Sequence, residues 1–177
     1  MHRSVMQWAE EHFDPAECEN KKVLEVGSRN VNGSLRPLIQ PHAREYVGTD
    51  IVAGEGVDLL LNAVGLEDRF GVEHFDLVVC TEALEHISEP FRAIWNMKAV
   101  LRLRGIIYLT TRSPGFLKHD FPSDYYRFTI EDLEHLFRGF EVLSLQSDPD
   151  YPGVFLKARK VKPHYEDSVS CPLRPVT

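Results

Sequence analysis

The sequence predicts an α/β fold: a doubly wound, mostly parallel seven-stranded sheet with an antiparallel hairpin at one edge. Three observations predict it. Short apolar runs alternate with stretches of helical period along most of the 177 residues, the pattern of parallel strands joined by crossover helices. Phe75 to Cys80 is an almost unbroken apolar run, as in a strand covered on both faces. The two last strand-like segments, Glu141 to Leu145 and Val154 to Ala158, are separated by the turn-rich Ser147 to Gly153 and no helix, which makes them a hairpin.

The other elements follow in order. Arg3 to Phe13 is a helix with Val5, Met6, Ala9 and Phe13 on one face, ended by Asp14-Pro15. Val23 to Val26 is a short strand that runs into Gly27. Ser34 caps a short helix carrying Leu35, Leu38 and Ile39, which Pro41 stops. Tyr46 to Thr49 is a strand ending at Asp50, and Val57 to Leu61 a third. Ser88 caps a longer helix with Pro90 in its first turn and Phe91, Ile94, Met97 and Leu101 on one face. Arg102 and Arg104 suit the negative end of that helix, and Gly105 its stop. Ile106 to Thr110 is the fifth strand, and Thr129 with Asp132 forms a capping box for a helix through Phe137. Residues 1–160 make one domain; residues 161–177, with Pro163, Pro172 and Pro175, read as a tail or a surface-wrapping arm.

Composition narrows the function classes. Hydrophobic residues at 43% and charged residues at 27% belong to a soluble globular chain, not a disordered one. A net charge of −7 argues against a long nucleic acid as partner, which needs clustered positive charge. No run of about 18 apolar residues exists, so no membrane span is expected. The N-terminal stretch lacks the apolar core of a secretory signal. Cys18, Cys80 and Cys171 are odd in number and widely spaced, which suits a reducing, cytoplasmic setting. Oligomeric state is not written in the sequence, and a homodimer is allowed.

Ligands of doubly wound sheets bind beyond the carboxyl ends of the strands, so the residues after each strand are the candidates. Gly27 lets a ligand approach the backbone without a Cβ in the way. Asn30, Asn32 and Gly33 tolerate a tight left-handed turn. Asp50, about 20 residues downstream, is placed to accept hydrogen bonds from two ribose hydroxyls. A dinucleotide is disfavoured, because Arg29 and Asn32 stand where the second and third glycines of the pyrophosphate fingerprint belong.

Glu25-Val-Gly27, Asp50, Asn62-Ala63 and the stretch FDLVVCTEALEH, Phe75 to His86, fall in the order and spacing of the class I S-adenosylmethionine-dependent methyltransferases. The chain resembles that superfamily, its small-molecule branch in particular, from about Lys22 to Phe140. The resemblance implies a Rossmann-like methyltransferase fold, S-adenosylmethionine as cofactor, S-adenosylhomocysteine as product and a small-molecule acceptor. It implies that Glu25 and Gly27 flank the methionine portion, with Ser28 and Arg29 also cofactor-binding, that Asp50 holds the ribose and Ile51 lies against the adenine. Asn62 and Ala63 would meet the adenine edge, Cys80 and Thr81 would sit beside the sulfonium, and Glu82 would also be cofactor-binding. Further glycines are usual where this chain has Arg29 and Val31. Arg29 could therefore offer its guanidinium to the cofactor carboxylate or to an acidic substrate.

Glu82-Ala-Leu-Glu85-His86 brings two carboxylates and an imidazole within five residues, and His119 lies after the fifth strand. Such donors could hold a divalent cation, and the segment resembles the metal-binding stretch of some 2′-hydroxyl RNA and ubiquinone-pathway O-methyltransferases. The favoured expectation is no metal, with the acids as loop hydrogen-bond partners and His86 or His119 as general base or substrate orienter. The long connection Arg112 to Phe128 reads as a lid, with Tyr125, Tyr126 and Arg127 as substrate-binding residues. Two other readings stay open: a catalytically inert cofactor-binding interaction module, and a nicotinamide-dependent oxidoreductase.

Overall fold

A computed structural model describes residues 2–119, 123–163, 171–172 and 174–176. The strands in chain order are β1 (Lys22–Val26), β2 (Glu45–Asp50), β3 (Leu59–Leu60), β4 (Phe75–Thr81), β5 (Leu101–Arg112), β6 (Tyr126–Arg127), β7 (Phe140–Ser147), β8 (Gly153–Lys160) and β9 (Arg174–Pro175). The helices are α1 (Arg3–His12), α2 (Arg36–Ile39), α3 (Leu66–Phe70), α4 (Pro90–Val100) and α5 (Ile130–Leu136). One seven-stranded sheet runs β3-β2-β1-β4-β5-β8-β7. Its first five strands are parallel, and β8 and β7 are antiparallel to their neighbours. The expected mixed sheet and its edge hairpin are both present. Strand order reverses between β1 and β4, which opens a crevice at their carboxyl ends.

The period-2 alternation of the central strands divides the core between two faces. Leu77 and Val79 point with Val23, Tyr108 and Phe155 towards α1 and α2, where Val5, Trp8, Leu35 and Ile39 cover them. Val78 and Cys80 point with Leu24, Leu109 and Leu156 the other way, towards Ile94 and Met97 of α4 and Leu133 and Leu136 of α5. Helices on both faces explain why β4 is apolar along nearly its whole length.

Three local expectations are corrected. The longer helix does not run to Gly105: it ends at Val100, and β5 begins at Leu101. Arg102 and Arg104 therefore lie on a strand, where the Arg102 guanidinium pairs with Asp76 at 3.1 Å. Gly105 serves a close backbone approach, since a Cβ there would stand 2.9 Å from the Asp76 carbonyl oxygen. β3 is only two residues long, because the Asp58 carboxylate takes up the Gly48 amide at 2.7 Å and the Arg36 guanidinium at 2.8 Å. Glu89, not Ser88, occupies the N-cap of α4, with no side-chain cap. The capping box of Thr129 and Asp132 is present.

From the tail, β9 pairs antiparallel with β6, the Val176 amide donates to the Tyr125 carbonyl at 2.9 Å, and Arg174 contacts Asp132. Among the described residues no helix is long and apolar enough to cross a membrane.

Candidate active site

A cavity of about 500 Å³ opens at the carboxyl ends of β1, β2 and β4, where the strand order reverses. Its first wall is the loop after β1. Gly27 adopts φ 73°, and a Cβ there would lie 2.4 Å from the Ala83 Cβ. Glycine is needed because the β1 exit presses against the loop after β4, as well as for the open wall expected of it. Where this loop carries Arg29 and Val31 in place of glycines, glycines after β2 make the room. Gly54 packs against the Arg29 side chain, and Gly56, at φ 85°, would place a Cβ 2.5 Å from the Ser28 carbonyl oxygen.

Asp50 ends β2 with both oxygens aimed by backbone amides: Val52 donates to Oδ1 at 2.9 Å and Arg29 to Oδ2 at 3.2 Å. A carboxylate has about four acceptor positions, so each oxygen keeps one for a ligand. Ile51 lies beside it, 57% exposed, offering an apolar surface at the mouth. Asn62 caps the turn after β3, its Oδ1 accepting from the Val64 amide at 3.2 Å, and with Ala63 it closes this end.

Glu25 is buried at the cavity floor. Tyr46 donates to its Oε2 at 3.0 Å and Ser34 to its Oε1 at 3.2 Å. Burial pushes its carboxyl up to about 7, against the pull of those two hydrogen bonds.

The opposite wall follows β4. Glu82 has φ 54°, a left-handed conformation unusual for a residue with a side chain. Its amide donates to the Thr110 carbonyl at 3.0 Å, its Oε1 accepts from the Thr110 hydroxyl at 3.0 Å, and its Oε2 pairs with Arg112. Glu85 does not line the cavity: it is fully buried, its Oε2 accepts from Thr111 at 3.0 Å, and its Oε1 has no partner among the described residues. Burial holds this carboxyl above its ordinary range.

His86 and His119 both line the cavity, their rings edge to face with centroids 4.8 Å apart. The segment 123–125 fixes them. His86 Nδ1 donates to the Ser123 carbonyl, Asp124 Oδ2 accepts from the His119 amide at 2.9 Å, and the Tyr125 amide donates to the Glu85 carbonyl at 2.9 Å. Arg127 grips both Asp124 oxygens, at 2.5 and 2.7 Å. Burial opposes the charge on Asp124, yet Arg127 and the His119 amide outweigh it and hold the carboxyl down at about 2.

Glu25, Gly27, Ser28, Arg29, Asp50, Ile51, Asn62, Ala63, Thr81, Glu82, His86, His119 and Tyr125 thus share one cavity. Cys80, Tyr126 and Arg127 do not line it. Cys80 faces the core, where burial pushes its thiol up; Tyr126 is half-buried against the core, its hydroxyl donating to the Ser88 carbonyl; and Arg127 is turned inwards to Asp124. The expectation that Tyr126 and Arg127 face a substrate is not matched by their positions, because a buried carboxylate three residues before Arg127 claims its guanidinium. Asp120 and Phe121 of the same connection lie outside the described residues. Sequence reasoning missed His2, Thr49, Ser88 and Ser123 on the wall and Arg112, Asp124 and Asp148 behind it. Only Asp124 carried a signal, three residues before an arginine.

For a metal, Glu85, His86 and His119 each offer a donor atom, all within 4.8 Å of one another. Glu82 is not in that group, being committed to Arg112.

A family model described as a methyltransferase domain matches residues 2–146. The ubiquinone biosynthesis O-methyltransferase of Haemophilus ducreyi is 44% identical over 39 residues, 22% of this chain and 16% of that protein. Among solved structures, the Burkholderia thailandensis 1,6-didemethyltoxoflavin-N1-methyltransferase, with S-adenosylhomocysteine bound, superposes with a TM-score of 0.66 at 17% identity over 90% of this chain and 78% of that one. A Mesorhizobium loti S-adenosylmethionine-dependent methyltransferase gives 0.70 at 13% identity over 89% and 98%. The cyclase SpnF gives 0.67 at 17% identity over 89% and 80%. At such identities the structural likenesses speak for the fold alone. Since the family match begins just before α1 and takes in every strand that borders the cavity, the chain belongs to the class I S-adenosylmethionine-dependent methyltransferases.

Proposed function

We propose that this chain transfers the methyl group of S-adenosylmethionine to an oxygen or nitrogen of a small-molecule acceptor. The observation that carries the reading is one cavity with an amide-aimed carboxylate at one end, Asp50, and two fixed imidazoles at the other, His86 and His119. In this reading Asp50 accepts from both ribose hydroxyls, and the adenine lies between Ile51 and the Asn62-Ala63 turn. Glu25, Gly27, Ser28 and Arg29 border the amino and carboxylate groups, and Thr81 and Glu82 border the sulfonium. The acceptor enters beside Tyr125. Cys80, Tyr126 and Arg127 act from behind the wall.

Methyl transfer is an in-line displacement on a carbon that the sulfonium already activates, so the protein mainly aligns the acceptor and excludes water. A hydroxyl acceptor must also lose a proton. His86 suits that step: its Nδ1 is occupied by the Ser123 carbonyl, which leaves Nε2 as the basic nitrogen. The short match to a ubiquinone-pathway O-methyltransferase agrees with an oxygen acceptor. The reading includes a cytoplasmic setting, in keeping with three unpaired cysteines.

The unpartnered Glu85 Oε1 beside His86 and His119 favours a second reading, in which these three hold a divalent cation that orients the acceptor oxygen. One carboxylate with two imidazoles suits a transition metal better than Mg²⁺. Metal retained by the protein after dialysis, and lost in Glu85→Gln, supports it; no metal uptake from a Zn²⁺ or Mn²⁺ titration refutes it.

The test of the main reading is incubation of the protein with isotopically labelled donor and a metabolite extract, followed by mass spectrometry. A labelled small molecule that needs intact His86 supports it. Donor binding with no labelled product points instead to the inert binding module.

A further inference from the structure

We propose that Glu82 is the residue by which this protein tells the charged donor from the neutral product, and that Arg112 and Thr110 are its positioning residues. The proposal rests on the reading that the cavity takes S-adenosylmethionine. Three observations carry it.

The first is a charge imbalance built into the wall. The Arg112 side chain is fully buried between two carboxylates, pairing with Asp148 Oδ2 at 3.0 Å on one side and with Glu82 on the other. A guanidinium keeps its proton, so the group of three carries one negative charge more than positive. Asp148 is as buried as the arginine, and its Oδ1 is occupied by the amides of Asp150 and Tyr151. Only Glu82 reaches the cavity, so the surplus charge is presented there. Burial away from water strengthens such a field and limits its screening.

The second is how Glu82 is held. Thr110 and Arg112 are two residues apart on β5, on the same side of the sheet, and each fixes one carboxylate oxygen. The Glu82 backbone keeps a left-handed φ of 54°, and the Thr110 carbonyl and hydroxyl both accept from its amide. Strained backbone of this kind persists where the surroundings impose it, and here it aims a side chain at a ligand space.

The third is position. Asp50 and Glu25 stand towards portions of the ligand that donor and product share, the ribose and the amino acid. Glu82 follows Thr81 at the β4 exit, where the sulfonium of the donor becomes the thioether of the product. The donor loses one positive charge at that atom on giving up its methyl group. A fixed carboxylate there favours the donor before transfer and releases the product after it. The other imidazoles on the wall of the same cavity are those of His2, His86 and His119.

The test is calorimetric titration of the whole protein with S-adenosylmethionine, with S-adenosylhomocysteine, and with sinefungin, which carries an amine cation where the methyl-sulfonium would be. The wild type should bind both cationic ligands about tenfold more tightly than S-adenosylhomocysteine. Glu82→Gln, which keeps the shape, should reduce that preference to within about twofold while leaving the S-adenosylhomocysteine affinity nearly unchanged. Thr110→Val, which removes one positioning bond and leaves the carboxylate, should lose part of the preference. A full preference retained in Glu82→Gln overturns the proposal, as does a wild type that does not distinguish the ligands. A wild type that binds none of the three fails the cofactor reading instead, so the two failures are distinguishable.

Discussion

The two ends of the cavity are built in different ways. At the end formed by β1 and β2, backbone does the shaping: Asp50 is aimed by two amides, and Gly27, Gly54 and Gly56 let neighbouring loops touch. At the end formed by β4, β5 and segments 113–119 and 123–128, charged side chains do it. Arg127 holds Asp124, Asp124 holds the His119 amide, and Arg112 holds Glu82 and Asp148. In the proposed reading, the donor common to many proteins is met by the backbone end, and the end particular to one acceptor is assembled from long-range side-chain pairs. The difference teaches which end tolerates change. Removing the Asp50 carboxylate at the backbone end should alter donor affinity with little effect elsewhere, whereas a substitution at the side-chain end should disturb packing as well as acceptor chemistry.

The largest effect that would break this contrast is expected at Asp124. Replacing it with Asn leaves the buried Arg127 guanidinium short of its charge partner, a change of about 3 kcal/mol in stability. Chemical denaturation should show that loss, while S-adenosylhomocysteine binds the remaining folded protein within about twofold of wild type. Equal damage to donor binding would mean that the two ends are not separable. Next comes Asp50→Ala, which removes two hydrogen bonds from a charged acceptor to the ribose. The donor should bind about a hundredfold more weakly by calorimetry, with the denaturation midpoint little changed.

The smallest effect concerns pH. Burial raises the Glu25 carboxyl to about 7, so the folded state prefers its neutral form. The contribution of Glu25 to stability should therefore be fullest below the ordinary carboxyl range and be lost as pH rises from there to about 7. Binding should run the other way, because the cationic amino group of the ligand favours the carboxylate form. S-adenosylhomocysteine affinity is expected to rise by a few-fold between pH 6 and 8 with release of protons, and Glu25→Gln should flatten both trends.

The same contrast governs how much could be read from the sequence. Strand exits are local, so Gly27 and Asp50 announced themselves by residue type and spacing, and both lie on the cavity wall. The sheet and its hairpin were legible for the same reason, through patterns confined to single segments. Gly105 was misread because a helix stop and a close backbone approach within a strand ask for the same residue. Arg127 was misread because its partner, a buried carboxylate, looks like any loop aspartate until the segment folds. Arg112 and Asp148 are 36 residues apart, and no local pattern joins them. Tyr126 and Cys80 show the remaining limit: a short step along a strand or loop turns a side chain from the cavity towards the core.

The most direct test of the central claim is the structure of the protein soaked with S-adenosylhomocysteine. The account predicts the adenosyl group in the 500 Å³ cavity, with both ribose hydroxyls donating to the Asp50 carboxylate and the thioether beside Glu82. A cavity left empty at saturating ligand, or a ligand bound with its ribose away from Asp50, would contradict it.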